Sequence, residues 1–208
     1  MEIPAGDLTL YGSFELPEPA SGIVLFVHGS GSSRHSPRNQ MVAGQLRQAG
    51  LGTLLFDLLT PEEERLDSIT REFRFDIPRL AQRLVDVTDW LVESQVVKQP
   101  VAYFGSSTGA AAALIASTVT PHAICAIISR GGRPDLAGNA LGAVRAPTLL
   151  IVGGRDLQVM ELNRAALERI VCEKQLYVVP GATHLFTEPG ALEEVADVAR
   201  KWVVQHLS

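Results

Sequence analysis

The stretch Gly105-Ser106-Ser107-Thr108-Gly109 has the G-x-S-x-G form in which a serine hydroxyl serves as a nucleophile. Five small residues recur by chance, so the setting decides what the pattern means. Pro100-Val101-Ala102-Tyr103-Phe104 precedes it and reads as a short buried strand, and Ala110–Ala116 follows as a helix. Strand, sharp turn and helix are the context of a nucleophile elbow. The turn lifts the Ser107 hydroxyl above the sheet edge, where bulky neighbours would clash. Glycine two residues before and two residues after Ser107 meets that need. The helix N-terminus beneath favours the negative charge that develops in acyl transfer. An ordinary tight turn between strand and helix is the plain alternative.

A serine hydroxyl needs a base to take its proton, and the base is usually a histidine oriented by a carboxylate. In the chain order Ser, Asp or Glu, then His, both partners follow Ser107 and sit at strand ends. The downstream histidines are His122, His184 and His206. His206 reads as a solvated residue on the last helix. His122 follows Pro121 at the sheet end opposite the elbow. His184, in Pro180-Gly181-Ala182-Thr183-His184, comes directly after the last strand and so at the correct end. For the acid, Ile151-Val152-Gly153-Gly154-Arg155-Asp156 runs from strand through a glycine turn to Asp156. Asp156 is the first candidate, although a helix N-cap is a common use of Asp at such a place. Asp135 is second, and Asp57, which breaks the chain order, is third. Glu188 is close enough to His184 to orient its loop.

An oxyanion formed on the substrate needs two backbone N–H donors. One is expected from Thr108, the residue after the nucleophile, and the other from Ser30 in Val27-His28-Gly29-Ser30-Gly31-Ser32-Ser33. His28 reads as a support for this loop. Phosphate cradling fails there on detail. No G-K-[ST] follows, and Gly29-Ser30-Gly31 lacks a third glycine at the dinucleotide spacing.

The elements that position these residues alternate. Leu8–Leu16 reads as an edge strand or hairpin, with a turn at residues 17–22. Strands are expected at Ile23–Val27, Leu51–Phe56, Val101–Phe104, Ala123–Ser129, Thr148–Val152 and Leu176–Val179. Helices are expected at Pro37–Gln48, Phe75–Val97, Ser107–Thr118, Val159–Val171 and Ala191–His206, with a small one over Leu136–Val144. Pro61-Glu62-Glu63-Glu64 reads as an acidic loop. The alternation argues for an α/β domain, a parallel sheet wrapped on both faces, with function at the strand C-termini. No linker is visible, so residues 1–208 read as one domain.

The 208 residues are 46% hydrophobic and 20% charged, as a globular chain requires, with a net charge of −5. That charge gives no reason to expect a nucleic-acid or membrane partner. No apolar run approaches the roughly 20 residues of a membrane span. The N-terminal Met1–Asp7 shows no basic region followed by an apolar one, so no signal peptide is expected and the reading is cytoplasmic. Cys125 and Cys172 fit neither a disulfide framework nor a metal cluster and read as packing residues. No metal and no cofactor is expected.

With these residues in place, the chain resembles the α/β-hydrolase superfamily, and within it the dienelactone-hydrolase-like group. The resemblance is carried by His28-Gly29-Ser30-Gly31, Gly105–Gly109, Gly153-Gly154-Arg155-Asp156 and Gly181-Ala182-Thr183-His184, and spans nearly the whole chain. It implies an eight-stranded, mostly parallel sheet with an antiparallel strand near the start. It also implies the roles set out above for Ser107, Asp156, His184, Ser30 and Thr108. Dienelactone hydrolases use a cysteine nucleophile. Ser107 stands in that place here, which favours an esterase-like chemistry. The chain also looks like hydrolase domains that are sometimes joined to phosphoribosyltransferase-like domains.

Five arginines fall in loops at the active end: Arg34, Arg38, Arg130, Arg133 and Arg155. Arg34, Arg38, Arg130 and Arg133 are candidates for binding a carboxylate or phosphate on a small-molecule ester substrate. Pairing with Asp135 and nearby carboxylates is the alternative. The short connection from Ser129 to Pro147 leaves no room for a separate lid domain, so an open site and a small soluble substrate are expected. The same residues would serve acyl transfer or thioester cleavage. A hydrolase-fold module that only binds a ligand is the reading from a different class. The oligomeric state is not readable.

Overall fold

In the computed structural model, which describes residues 1–94, 98–120 and 122–207, the chain opens with β1 (Glu2–Ala5), β2 (Leu8–Glu15) and β3 (Gly22–Val27). These are followed by α1 (Pro37–Gln48), β4 (Leu51–Phe56), α2 (Pro61–Thr70) and α3 (Ile77–Glu93). Next come β5 (Val101–Ser106), α4 (Thr108–Val119), β6 (Ile124–Arg130) and a 3₁₀ segment at Pro134–Ala143. β7 (Thr148–Gly153), α5 (Leu157–Arg169), β8 (Lys174–Val179) and α6 (Ala191–Gln205) complete the order.

The eight strands form one sheet in the order β1-β2-β4-β3-β5-β6-β7-β8. β1 pairs antiparallel with β2 and β2 antiparallel with β4, while every pairing from β4 across to β8 is parallel. This is the mostly parallel eight-stranded sheet, with its antiparallel start, that the resemblance to the α/β hydrolases implies. Every residue of β3, β4, β5 and β7 is buried, because helices cover both faces.

The period-2 geometry of a strand sorts the apolar residues between two cores. Ile23, Leu25 and Val27 of β3 face α3 and α4, where Leu84, Leu91 and the alanines of α4 pack. Val24 and Phe26 face α1 and α6, meeting Val42, Ala199 and Trp202. Phe26 stacks on Phe104 with ring centroids 4.8 Å apart. Ala110–Ala113 and Ala116 are fully buried, so α4 approaches the sheet closely beneath the elbow.

Some elements depart from expectation. The segment expected as an acidic loop is the start of α2. Thr60 caps it, accepting from the Glu63 amide at 3.3 Å, while the Glu63 carboxylate accepts from the Thr60 amide at 2.9 Å. This reciprocal box satisfies two amides that would otherwise be left free, which is why so acidic a tract is helical. β1 also went unread, because four residues containing Pro4 carry little periodicity. α3 begins at Ile77, capped by Asp76, and ends at Glu93. The expected extension to Val97 falls on residues 95–97, outside the described residues. The segment expected as one small helix at Leu136–Val144 is 3₁₀ and kinks at Gly138. Among the described residues it is the main insertion between β6 and β7, and no lid domain is present. No helix among them is long and apolar enough to cross a membrane.

Candidate active site

β5 ends at Ser106, and the next residue turns sharply. Ser107 has φ 51° and ψ −122°, a conformation that a side chain rarely adopts and that costs about 1–3 kcal/mol. The surroundings hold it there. The Ser107 amide donates to the Arg130 carbonyl at 3.2 Å, and its carbonyl accepts from the Arg133 amide at 3.0 Å. The flanking glycines are required by space. A Cβ on Gly105 would come 2.4 Å from Ala110 Cα, and one on Gly109 would come 2.2 Å from the Val27 carbonyl oxygen.

Asp156 follows β7 and precedes α5. Its side chain makes no cap hydrogen bond to that helix. One carboxylate oxygen, Oδ2, lies 2.6 Å from His184 Nδ1 instead. The loop after β8 can reach it because Gly153 has no side chain, since a Cβ there would sit 2.5 Å from the Ala182 carbonyl oxygen. The Arg155 amide donates to that same oxygen at 2.9 Å. Glu188 accepts from the Thr183 amide at 3.1 Å and so holds the His184 loop. The other candidate acids are engaged elsewhere. Asp135 pairs with Arg133 through two hydrogen bonds of 2.8 and 2.7 Å. Asp57 accepts from both the Arg34 amide and the Arg34 guanidinium.

Ser107 and His184 line one cavity of about 300 Å³, with Gly29, Ser30, Arg38 and Arg130. No hydrogen bond joins Ser107 Oγ to His184 among the described residues. The loop after β3 runs across the top of the elbow, and a Cβ on Gly29 would come 2.9 Å from Ser107 Cβ. The Ser30 amide donates to Thr108 Oγ1 at 2.9 Å, so the N–H expected as the second oxyanion donor is engaged within the chain.

His28 is buried beneath this loop. Its Nε2 accepts from the Leu58 amide at 3.0 Å, so the proton resides on Nδ1, which donates to the Gly29 carbonyl at 2.9 Å. Burial pushes its pKa below the usual histidine value, against the raising effect of that Gly29 bond. It supports the loop as a neutral ring.

The arginines divide. Arg34 is tied to Asp57 and lines a neighbouring hollow of about 570 Å³ with Tyr11 and Glu64. Arg133 is tied to Asp135, and Arg155 is exposed. Arg38 and Arg130 face the cavity of Ser107 and His184. Arg130 is only 7% exposed. Burial, and then the neighbouring Arg38 charge, pull its pKa down to about 10. The residue that sequence reasoning missed is Asn39, buried in the first turn of α1. Its Oδ1 accepts from Ser106 Oγ and from Arg130 Nη2, both at 3.2 Å. A partner 91 residues away leaves no local signal.

The remaining histidines and cysteines lie elsewhere. His122 is at the other end of the sheet with Asp89. His206, expected as solvated, has a side chain 10% exposed and is held by the Trp202 carbonyl and Glu173. A larger hollow of about 660 Å³ lies at that end, around Val101, His122 and Cys125. Burial pushes the Cys125 thiol up to about 11 and raises Cys172 as well, which leaves both inert. No group of three or more metal-ligating side chains occurs among the described residues.

No family model matches the chain. A dienelactone hydrolase from Anabaena variabilis, of known crystal structure, is 54% identical, with a TM-score of 0.95 over 100% of this chain and 97% of that one. The fold is also that of Est1E from Butyrivibrio proteoclasticus, at 15% identity and a TM-score of 0.81 over 99% and 98% of the two chains. Proteins from two strains of Mycobacterium tuberculosis, provisionally named phosphoribosyl transferases, are 56% identical over all 208 residues. The chain spans 46% of their length.

Proposed function

Because this chain belongs to the dienelactone-hydrolase-like group of the α/β-hydrolase superfamily, we propose that it is a serine hydrolase that cleaves a small soluble ester through an acyl-enzyme on Ser107. The observation that carries the reading is the Asp156 carboxylate. It leaves its own helix uncapped and lies 2.6 Å from Nδ1 of His184, which lines one cavity with Ser107. That contact places the Nδ1 proton toward the carboxylate and leaves Nε2 free as a base.

His184 Nε2 takes the Ser107 proton as Oγ bonds to the acyl carbon, and the carbonyl electron pair moves to oxygen. The Thr108 amide, at the N-terminus of α4, is offered to the developing charge, and the Ser30 amide joins it only by giving up its bond to Thr108 Oγ1. The imidazolium returns its proton to the leaving alcohol as the C–O bond breaks. Water then repeats the sequence, with His184 again as base, and frees the acid and Ser107. Asp156 stabilises the imidazolium in both halves. The phosphoribosyl transferase name belongs to proteins about twice this length, and the Ser107 arrangement lies within the shared part.

Labelling with a fluorophosphonate probe, followed by mapping of the modified peptide, tests the reading. Modification at Ser107 is expected. Ser107→Ala abolishes it and lowers hydrolysis of p-nitrophenyl butyrate by roughly 10⁴-fold or more, and His184→Ala lowers it by a similar factor. Folded protein that is neither labelled nor active on any short ester overturns the reading.

A further inference from the structure

A buried side-chain amide needs partners for both its oxygen and its nitrogen. Asn163, in the middle of α5, has no exposed surface, and its Oδ1 has no partner among the described residues. Its Nδ2 is fully used. It donates to the Val159 carbonyl at 2.8 Å and to the Gly132 carbonyl at 3.0 Å. Two carbonyl acceptors identify that atom as the nitrogen. The first bond stays within α5. The second reaches back 31 positions, to the segment after β6. A leucine would fill the same space with no oxygen to strand, so the crossing bond is what the asparagine adds.

The Gly132 carbonyl and the Arg133 amide belong to one peptide group, and that amide donates to the Ser107 carbonyl at 3.0 Å. The Ser107 amide donates in turn to the Arg130 carbonyl at 3.2 Å. Residues 130–133 thus clasp the strained Ser107 backbone on both sides. The clasp has two anchors, the Gly131 amide on the Ile151 carbonyl at 2.8 Å and the Asn163 side chain on Gly132. Both anchors lie in β7 and α5, the elements that flank Asp156. Gly131, at φ 51°, lies against the proposed base, since a Cβ there would come 3.6 Å from His184 Cε1. Gly132 lies against α4, where a Cβ would come 2.7 Å from Ala110 Cβ.

We infer that Asn163 is a positioning residue for the nucleophile. It fixes the plane of the Gly132–Arg133 peptide, and that peptide holds Ser107 in its strained turn beside the cavity shared with His184. The inference rests on reading Ser107 as the nucleophile and deepens it. Without the Asn163 bond the clasp peptide is free to turn, and Ser107 relaxes toward an unstrained backbone. The two apolar cores contain none of residues 130–133, so they stay in place. A displacement of about 1 Å at a reacting atom is enough to cost about 100-fold in rate.

The test measures hydrolysis of p-nitrophenyl butyrate and the rate of fluorophosphonate labelling, each per folded molecule. Asn163→Leu keeps the volume and removes the donor. It is expected to lower kcat and the labelling rate roughly 10- to 100-fold, with KM changed less than about threefold. Asn163→Asp has the same size, and burial favours its protonated carboxyl, which keeps one hydrogen to donate. It is expected to lose roughly 3- to 10-fold in both rates, and it carries the test alone where Asn163→Leu does not fold. Met160→Ala, a buried residue of the same helix, destabilises α5 without touching the clasp and leaves both rates unchanged. A labelled wild type whose folded Asn163 variants keep the wild-type rates, as Met160→Ala does, overturns the positioning role and leaves the hydrolase. A wild type that is neither labelled nor active on short esters removes Ser107 as nucleophile and the positioning role with it.

Discussion

Two groups of buried charge lie near the active end of the sheet, and they are built in opposite ways. Around α2 the buried charges have their counter-charges within the chain. Arg83, 5% exposed, donates to both oxygens of Glu63 and to the Leu58 carbonyl. Asp67, 1% exposed, accepts from the amides of Phe73 and Arg74 and from the Arg74 guanidinium. At the elbow, Arg130 is buried and Arg38 half-buried, each with an unpartnered Nε, and among the described residues no carboxylate pairs with either. The first group fixes a helix and a loop and is complete when the chain has folded. The second has no counter-charge among the described residues, so folding alone does not complete it. Burial alone therefore does not separate the two groups, and compensation does.

The contrast breaks most sharply under matched substitutions. Arg83→Met leaves the Glu63 carboxylate only the Thr60 amide and the more distant Arg79, and is expected to cost roughly 3 kcal/mol in urea unfolding. Arg130→Met removes a cation that has nothing to strand, since Asn39 keeps its bond from Ser106. It is expected to shift stability by less than about 1 kcal/mol, in either direction. Similar losses from the two variants would erase the distinction.

Acid sharpens it further. In Glu63 and Asp67 burial pushes the carboxyl pKa up. The bonds from Arg83 and Thr60, and from Arg74 and Phe73, outweigh this and hold both below the usual range. His28 is lowered by burial. All three therefore take up protons in the unfolded chain first. Their contribution is full above the unfolded pKa and is lost as pH falls through the folded one. Stability is expected to begin to fall below pH 6.5, the unfolded value of His28. The slope there is at most about 1.4 kcal/mol per pH unit for one proton. A second decline is expected below 4.5 and 3.8, the unfolded values of Glu63 and Asp67. Urea midpoints measured from pH 7.5 to 3.5 check this. A flat profile between 7.5 and 5 would remove His28 as a neutral support.

The sheet was legible because β3 to β7 are apolar runs buried on both faces, and such runs are bounded by glycine and proline in the chain itself. Ser107, Asp156 and His184 were legible because each follows a strand at the same sheet end. The α2 tract hid its cap. Thr60-Pro61-Glu62-Glu63 has the spacing of a capping box, but three consecutive glutamates outweigh it in a reading by composition. Five arginines look alike in sequence, because what separates Arg38 and Arg130 from Arg34 and Arg133 is whether a carboxylate from another loop reaches them. Asn39 was invisible for the same reason.

The bond between the Ser30 amide and Thr108 Oγ1 joins residues 78 positions apart. β3 and β5 are neighbours in the sheet, yet β4 and α1 to α3 intervene in the chain. Pairing them closes a long loop before any contact rewards it, which makes this a slow step on the way to the native state. His184 joins later still, from beyond β8. On the proposed reading, in which His184 activates Ser107, a newly synthesised chain stays chemically silent until its last strand is docked. Nucleophilic reactivity is then expected to report the end of folding, not its beginning.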